Sequence, residues 1–211
     1  NLGLYSATIE TKVTPQERNR VAIDFYVNEG STARIKEVSI IGATKFDEDD
    51  LLSRLALKPT NFLSWWNKDD RYSRQILTGD LEIIRSFYMD RGYLDFDIEN
   101  TTVSISETKK NVYIAIIIDE GDKYNFGDIK ISGKFYPLKE ESIFQNNIKT
   151  IKGEVFSRKL LNQSTESINQ ELGNYGYAFS NVNPIPDVDK NNLTVGFNYF
   201  IEPGKKVYVR R

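Results

Sequence analysis

Apolar residues stand at every second position in three stretches of the chain, and each stretch ends at a turn that contains glycine. Such alternation is typical of a β-strand with one side toward a core, and glycine allows the positive φ angle of a tight turn. The pattern recurs roughly every 80 to 90 residues, which is too long for a solenoid repeat and fits a string of small domains. The stretches are Val21, Ile23, Phe25 and Val27 before Gly30; Val112, Ile114, Ile116 and Ile118 before Gly121; and Val195, Phe197, Tyr199 and Ile201 before Gly204.

Helix signals recur in the same order as the strands. One helical stretch ends at Arg91-Gly92-Tyr93 and another at Tyr175-Gly176-Tyr177, with glycine just past the helix end. Upstream of each, a strand ends at a glycine, over residues 35–42 and 126–133. The repeated unit is therefore strand, helix, helix, strand, strand. It predicts the α+β class, with tandem small domains that are each a three-stranded mixed β-sheet covered on one face by two helices (β-α-α-β-β).

The repeat predicts two complete domains, at residues 33–121 and 124–204. Residues 1–30 have the pattern of the closing hairpin of an incomplete domain, and residues 205–211 that of the start of a further one. We expect the chain to be a fragment, because it begins within a unit and with neither a methionine nor a signal peptide. The apolar face of the incomplete hairpin is expected to pack on the adjoining domain or on a neighbouring molecule.

Composition argues against catalysis. The 211 residues include no His and no Cys, which excludes thiolate nucleophiles, Ser-His-Asp triads, disulfides and most transition-metal sites. The acids Asp47, Glu48, Asp49 and Asp50 are predicted to occupy the start of a helix, where its dipole and free N–H groups favour negative charge. We therefore predict no enzyme activity, no catalytic residue, no metal and no cofactor.

Charge and hydropathy narrow the partners further. The formal net charge is −2, so the chain has no general attraction to nucleic acid, and we predict no nucleic-acid partner. No stretch approaches the roughly 18 consecutive apolar residues of a membrane helix.

The strand after the first helix stop carries an irregularity. Phe96 and Ile98 alternate in one phase, whereas Val103 and Ile105 alternate in the other. One extra residue must lie between the two pairs if both face the core. We infer a β-bulge near residues 100–102.

Four stretches, in their order and spacing, make the chain resemble the polypeptide-transport-associated (POTRA) domains, the periplasmic repeat domains of proteins that assemble β-barrels in the outer membrane. The stretches are Tyr5-Ser-Ala-Thr with Val13-Thr-Pro-Gln-Glu-Arg-Asn-Arg-Val21; Gly79-Asp-Leu-Glu-Ile-Ile-Arg-Ser-Phe-Tyr-Met-Asp-Arg-Gly-Tyr93; Asp119-Glu-Gly-Asp-Lys-Tyr124; and Tyr175-Gly-Tyr-Ala178. In the family's order the chain is similar to the closing hairpin of the second domain, the complete third and fourth, and the start of the fifth. The resemblance implies a periplasmic part of an outer-membrane protein of a Gram-negative bacterium, anchored in full length by a C-terminal barrel that this sequence lacks.

Edge strands are the predicted means of recognition. With the third strand of each unit central, the first and second strands are edges whose unpaired N–H and C=O groups accept an added strand. Four hydrogen bonds at about 1 kcal/mol each give about −4 kcal/mol, a millimolar affinity. The bulged strand is the main candidate, because Pro184 and Pro186 lack donors in its counterpart, which must be short, irregular or at an edge. The candidate partner-binding residues are Phe96, Ile98, Asn100, Thr102, Val103 and Ile105.

The resemblance implies two kinds of partner. Unfolded outer-membrane protein precursors would bind by β-augmentation, and accessory lipoproteins of the assembly complex would dock on a defined patch of side chains. The alternatives are a POTRA module of a two-partner secretion or organelle-import transporter, and a scaffold for lipoproteins alone. Trp65 and Trp66 are a candidate aromatic patch for binding, or else cover the end of a small core.

Overall fold

A computed structural model describes residues 7–17, 20–28, 33–60, 71–133 and 142–207. Over these ranges no helix is both long and apolar enough to span a membrane. The elements are β1 (Thr8–Gln16), β2 (Arg20–Asn28), β3 (Arg34–Ile41), α1 (Glu48–Ser53), α2 (Arg74–Met89), β4 (Asp97–Ile105), β5 (Asn111–Asp119), β6 (Asn125–Gly133), α3 (Ser142–Gln145), α4 (Arg158–Asn174), β7 (Asn181–Asp189) and β8 (Thr194–Glu202).

The strands form one hairpin and two three-stranded sheets of the same topology. β1 pairs with β2 antiparallel, and the sheets have the orders β3-β5-β4 and β6-β8-β7. β3 runs parallel to β5 and β6 parallel to β8, whereas β7 and β8 are antiparallel. The last strand of each repeat is thus central, and the predicted α+β class with mixed three-stranded sheets is confirmed.

Contacts between Cα atoms divide the chain into two compact units. The first consists of Asn1–Ile84 and Ile98–Asp119, and the second of Arg85–Asp97 and Glu120–Arg211. This division differs from the boundaries of the sequence repeat, because the end of α2 and the turn after it group with the second unit.

In the first unit, the predicted alternation builds the core. Leu77 and Ile84 on α2 are buried, as the helical stripe requires. Gly42 ends β3 at a φ of +102°, and a Cβ there would collide with the carbonyl oxygen of Ile118, so only glycine fits. The buried strand residues are Ile35, Val38 and Ile40 on β3 and Val112, Ile114, Ile116 and Ile118 on β5.

The second unit repeats this arrangement with aromatic residues. Phe126 on β6 lies edge-on to Phe156, with ring centroids 5.4 Å apart, and Phe156 stacks on Phe197 at 6.0 Å. Ser157 caps α4 by accepting the N–H of Leu160. The buried core residues of α4 and β8 are Leu161, Ile168, Leu172, Val195, Phe197, Tyr199 and Ile201.

A buried polar side chain holds the loop before the long helix in place in both repeats. Asp80 of α2 accepts the N–H groups of Ala56 at 2.7 Å and Leu57 at 2.9 Å. Ser164, twelve residues before its helix-stop glycine like Asp80, accepts the N–H of Lys149 at 2.8 Å. Each bond satisfies a backbone donor that folding removes from water.

The β1–β2 hairpin leaves its apolar side chains exposed, including Val21, Ile23, Phe25 and Val27. The expectation that the adjoining domain covers this face is therefore wrong for the described residues. The alternative, a neighbouring molecule, stays a prediction.

We predict that Ile84→Asp unfolds the first unit, since it places an unpaired carboxylate at a position that is 1% exposed. The expected loss is at least about 3 kcal/mol in the free energy of unfolding, measured by urea denaturation followed by circular dichroism. Ile83→Asp is the matched control, because the neighbouring side chain is 40% exposed and its replacement should cost little. Equal stability of the two variants would remove Ile84 from the core.

Candidate functional site

β4 lies at an outer edge of the first sheet, because the order β3-β5-β4 gives it only β5 as a neighbour. In an edge strand, the N–H and C=O groups of one residue face the paired strand, and those of the next residue face outward. The register of the β4–β5 hairpin therefore decides which residues of β4 can accept another strand.

The turn between β4 and β5 fixes that register. The N–H of Ser106 donates to the carbonyl oxygen of Asn111 at 2.9 Å, and the N–H of Asn111 donates to Ser106 Oγ at 3.1 Å. Lys109, with a φ of +56°, donates its N–H to the carbonyl oxygen of Ser106 at 2.8 Å and closes the turn. Ser106 is thus a residue whose backbone faces β5.

Counting back from Ser106 gives the orientation of the strand. Ser104 and Thr102 lie two and four residues before Ser106, so their backbone groups also face β5. Val103 and Ile105 alternate with these residues along the strand, so their N–H and C=O groups face outward. Two donors and two acceptors are therefore open along the C-terminal half of β4.

Burial along β4 changes phase where the bulge was predicted. Ile98 is half-buried, and the half-buried positions then continue at Thr101 and Val103, while Asn100 and Thr102 are exposed. The side chains of the two halves can face the core together only if one extra residue separates them, which agrees with the β-bulge.

Phe96 differs from the other candidate residues. It precedes β4, it is buried, and its ring stacks on that of Tyr88 with centroids 4.3 Å apart. Its side chain is therefore part of the packing around α2 and cannot contact a partner at the edge.

A shallow groove of about 160 Å³ lies on the uncovered face of the same sheet. An added strand at β4 would direct alternate side chains toward this face. Tyr113 is exposed and supplies the largest side chain of the groove. The lining residues are Glu37, Ser39, Thr102, Ser104, Tyr113, Ile114 and Ala115.

The equivalent edge of the second sheet is closed by its prolines. β7 is nine residues long and pairs with β8 without a register shift, from Asn181 opposite Glu202 to Asp189 opposite Thr194. Of the predicted alternatives the edge position is thus correct, and a short or irregular strand is wrong. Pairing with β8 continues through Pro184 and Pro186, although proline has no N–H group. These two positions must therefore be ones whose backbone groups face away from β8. An added strand would meet two positions without donors.

The acidic cluster at residues 47–50 has a structural place in the first unit. Asp47 caps α1 by accepting the N–H of Asp49 at 2.9 Å, and Glu48 accepts the N–H of Ile40 at 2.8 Å. Asp50 pairs with Arg54 at 2.9 Å. Within the ranges that the structure describes, no group of three or more acids could hold a metal ion. Trp65 and Trp66 lie outside the described residues.

The large pKa shifts belong to buried tyrosines. Burial and the Glu120 carboxylate, which accepts the Tyr88 hydroxyl at 2.8 Å, raise the pKa of Tyr88. The hydrogen bond from the Tyr124 hydroxyl to Asp95 Oδ2, at 2.8 Å, raises the pKa of Tyr124 to about 12. Both hydroxyls stay protonated at neutral pH, which suits structural hydrogen bonds rather than proton transfer.

Comparison with known proteins agrees with the repeat. The family model for POTRA, described as surface antigen variable number repeat, matches residues 33–121 and 124–204. The outer membrane protein assembly factor BamA of Neisseria meningitidis is 29% identical over 208 residues, which is 98% of this chain and 26% of that protein. BamA of Buchnera aphidicola is 29% identical over 197 residues, or 92% of this chain and 31% of that protein. The chain thus spans about a quarter to a third of the length of these relatives.

Solved structures share the fold. The crystal structure of Haemophilus influenzae BamA POTRA3-5 superposes with a TM-score of 0.71 at 22% identity, covering 84% of this chain and 69% of that one. BamA from Haemophilus ducreyi lacking POTRA domains 1-3 gives a TM-score of 0.62 at 20% identity, covering 80% of this chain and 29% of that one.

The register makes a prediction for amide hydrogen exchange measured by NMR. The N–H groups of Val103 and Ile105 should exchange at least about tenfold faster than those of Thr102 and Ser104, which by this register face β5. Comparable protection at all four positions, or the reverse order, would show that the outward parity is assigned wrongly.

Proposed function

Because this chain belongs to the POTRA family, we propose that it is a scaffold of an outer-membrane protein assembly machine and binds unfolded precursors along the outer edge of β4. Homology to BamA makes it a periplasmic part of an outer-membrane protein of a Gram-negative bacterium. The curated relatives named above are assembly factors, which supports assembly over secretion or organelle import. Its role is binding rather than catalysis.

The open backbone of Val103 and Ile105 carries this proposal. Hydrogen bonds to backbone groups do not depend on the partner's side chains, so a strand edge can accept many sequences. Residues 100–106 carry no charged side chain, so this half of β4 neither attracts nor repels a partner by charge. The groove beside Thr102, Ser104 and Tyr113 gives room for the alternate side chains of the added strand.

The expected affinity is weak. Two donors and two acceptors at about 1 kcal/mol each give about −4 kcal/mol, a dissociation constant near 1 mM. Weak and sequence-tolerant binding suits a protein that passes precursors on, because a tight complex would trap them. Several such edges along a longer protein would add avidity.

Docking of an accessory lipoprotein is the second candidate function, and the groove favours it. Its lining on β3, β4 and β5 differs in size and polarity from residue to residue, as a specific protein contact requires. Such docking would depend on side chains like that of Tyr113, whereas strand addition depends on outward N–H groups.

We predict that Val103→Pro weakens binding of a nine-residue peptide that copies a membrane strand of an outer-membrane β-barrel. The loss should be about fivefold or more, since one of four hydrogen bonds disappears and the ring obstructs the partner. Peptide titration by NMR measures it. Val103→Thr is the matched control, because it keeps both the N–H and the β-branched shape. Unchanged peptide binding by a natively folded Val103→Pro variant would refute the edge.

Tyr113→Ala separates the two candidates. It removes much of the groove lining but no outward N–H group, so peptide binding should change less than twofold while lipoprotein docking is lost. If lipoprotein binding by a co-purification assay is unchanged in this variant and lost in Val103→Pro, the lipoprotein also uses the backbone edge.

The closed edge of β7 offers the converse test. Replacing Pro184 and Pro186 together by Thr restores two outward donors, so we expect a second peptide site on β7 or edge-to-edge dimers. Peptide stoichiometry and sedimentation detect these outcomes. A monomer that still binds one peptide would show that the prolines are not what closes this edge.

A further inference from the structure

An open hollow lies where β4 enters its turn. It has a volume of about 330 Å³, its walls are mostly apolar, and it is lined by Ile105, Ser106, Glu107 and Lys109. Ile105 is also one of the two residues whose N–H and C=O groups face outward from the edge of β4. The hollow and the open backbone therefore share a residue.

The side chain of Ile105 lies on the helix-covered face of the sheet. Ser106 lies opposite Asn111 in the hairpin, so Ile105 lies opposite Val112. Opposite residues of paired strands point to the same face, and Val112 is fully buried in the core. Ile105 itself is 38% exposed, because β4 is an outer strand. The hollow therefore lies beside the covered face, and the groove lies on the other face.

The equivalent edge of the second sheet has a similar side chain but a different backbone. Val188 lies opposite the buried Val195, at the place that corresponds to Ile105, and it is 41% exposed. The two outward positions before it are Pro184 and Pro186, which have no N–H group. Of the two edges, β4 is thus the one that combines an exposed apolar side chain beside the core with consecutive outward donors.

A strand added to β4 would turn alternate side chains to the two faces of the sheet. The residue beside Ile105 points to the covered face, with its Cβ about 5 Å from that of Ile105, and so reaches the hollow. The residues before and after it in the added strand point to the groove, which carries the hydroxyl groups of Thr102 and Ser104 and the carboxylate of Glu37. The two sides of the added strand therefore meet different chemical surroundings.

We propose that the hollow at Ile105 takes a large apolar side chain of the added strand and so fixes the register of that strand. This inference rests on the proposed strand addition at β4 and names the class of strand that binds: one with apolar residues at every second position and polar residues between them. A shift by one residue would exchange the two sides and bring a polar side chain beside Ile105. The open backbone accepts many sequences, and the hollow selects alternation among them.

Two nine-residue peptides of identical composition and net charge test the hollow. One alternates apolar and polar residues, and the other has its apolar residues in one block. Titration by NMR should show that the alternating peptide binds about fivefold more tightly, because it alone places every apolar side chain on the side of the hollow. This comparison needs no variant of the chain.

Ile105→Thr then assigns the preference to the hollow. It keeps the N–H group and the β-branched shape but places a hydroxyl group in the hollow, so the alternating peptide should bind no more tightly than the blocked one. Val188→Thr is the matched control, because it makes a similar change at the equivalent place of the closed edge. It should leave the preference for the alternating peptide unchanged.

Equal binding of the two peptides to the parent chain would overturn the proposal, and so would an unchanged preference in a natively folded Ile105→Thr variant. If Val103→Pro still weakens the binding of both peptides in that case, the β4 edge stands and only the hollow is wrong. If Val103→Pro binds both peptides as well as the parent chain does, the edge fails and the hollow fails with it.

Discussion

Each three-stranded sheet depends on a central strand that is paired along both sides. β5 and β8 are the last strands of their repeats, and each lies between the two other strands of its sheet. The backbone groups of such a strand are hydrogen-bonded on both sides, so only its side chains contact the core or the opposite face of the sheet. The apolar residues at alternate positions of β5 and β8 are buried in consequence. Both the core and the edge positions of the outer strands follow from this arrangement.

The same topology yields two different edges because of single residues. β4 and β7 occupy equivalent positions, and both are nine residues long. Proline is tolerated in β7 only where its missing N–H faces outward, and at that parity it removes the donors that an added strand needs. β4 keeps these donors, and the β-bulge inferred from its change of burial phase would limit pairing to a short length and oppose edge-to-edge stacking. For this reason we propose the edge of β4, and not that of β7, as the binding edge.

The turn after α2 both ends this helix and forms hydrogen bonds with the start of the next repeat. Gly92 ends the helix and also accepts the first backbone bond of the next repeat, from Tyr124. The hydroxyl of the same tyrosine donates a hydrogen bond to Asp95, and this bond links the buried ring to an exposed loop. The recurrence of the backbone bond at Gly176, which accepts the N–H of Val207, indicates that this connection is part of the repeat.

Much of the fold was predictable because it rests on local periodicity. Alternation predicted the central strands, glycines marked their ends, and the change of phase after Ile98 predicted the change in burial along β4. Asp80 was missed, although it falls on the apolar stripe of α2 between Leu77 and Ile84. A charge at such a position signals a buried polar contact, but the N–H groups that it accepts lie more than twenty residues away.

The sequence by itself determined the repeat and the fold class, since these depend on residue types and their spacing. Only the tertiary structure decided which backbone groups face outward, because that depends on one hydrogen bond between Ser106 and Asn111 across the turn. It also removed Phe96 from the candidate edge, because the ring of Phe96 stacks on that of Tyr88 in α2 and neither the strand nor the helix pattern predicts this contact.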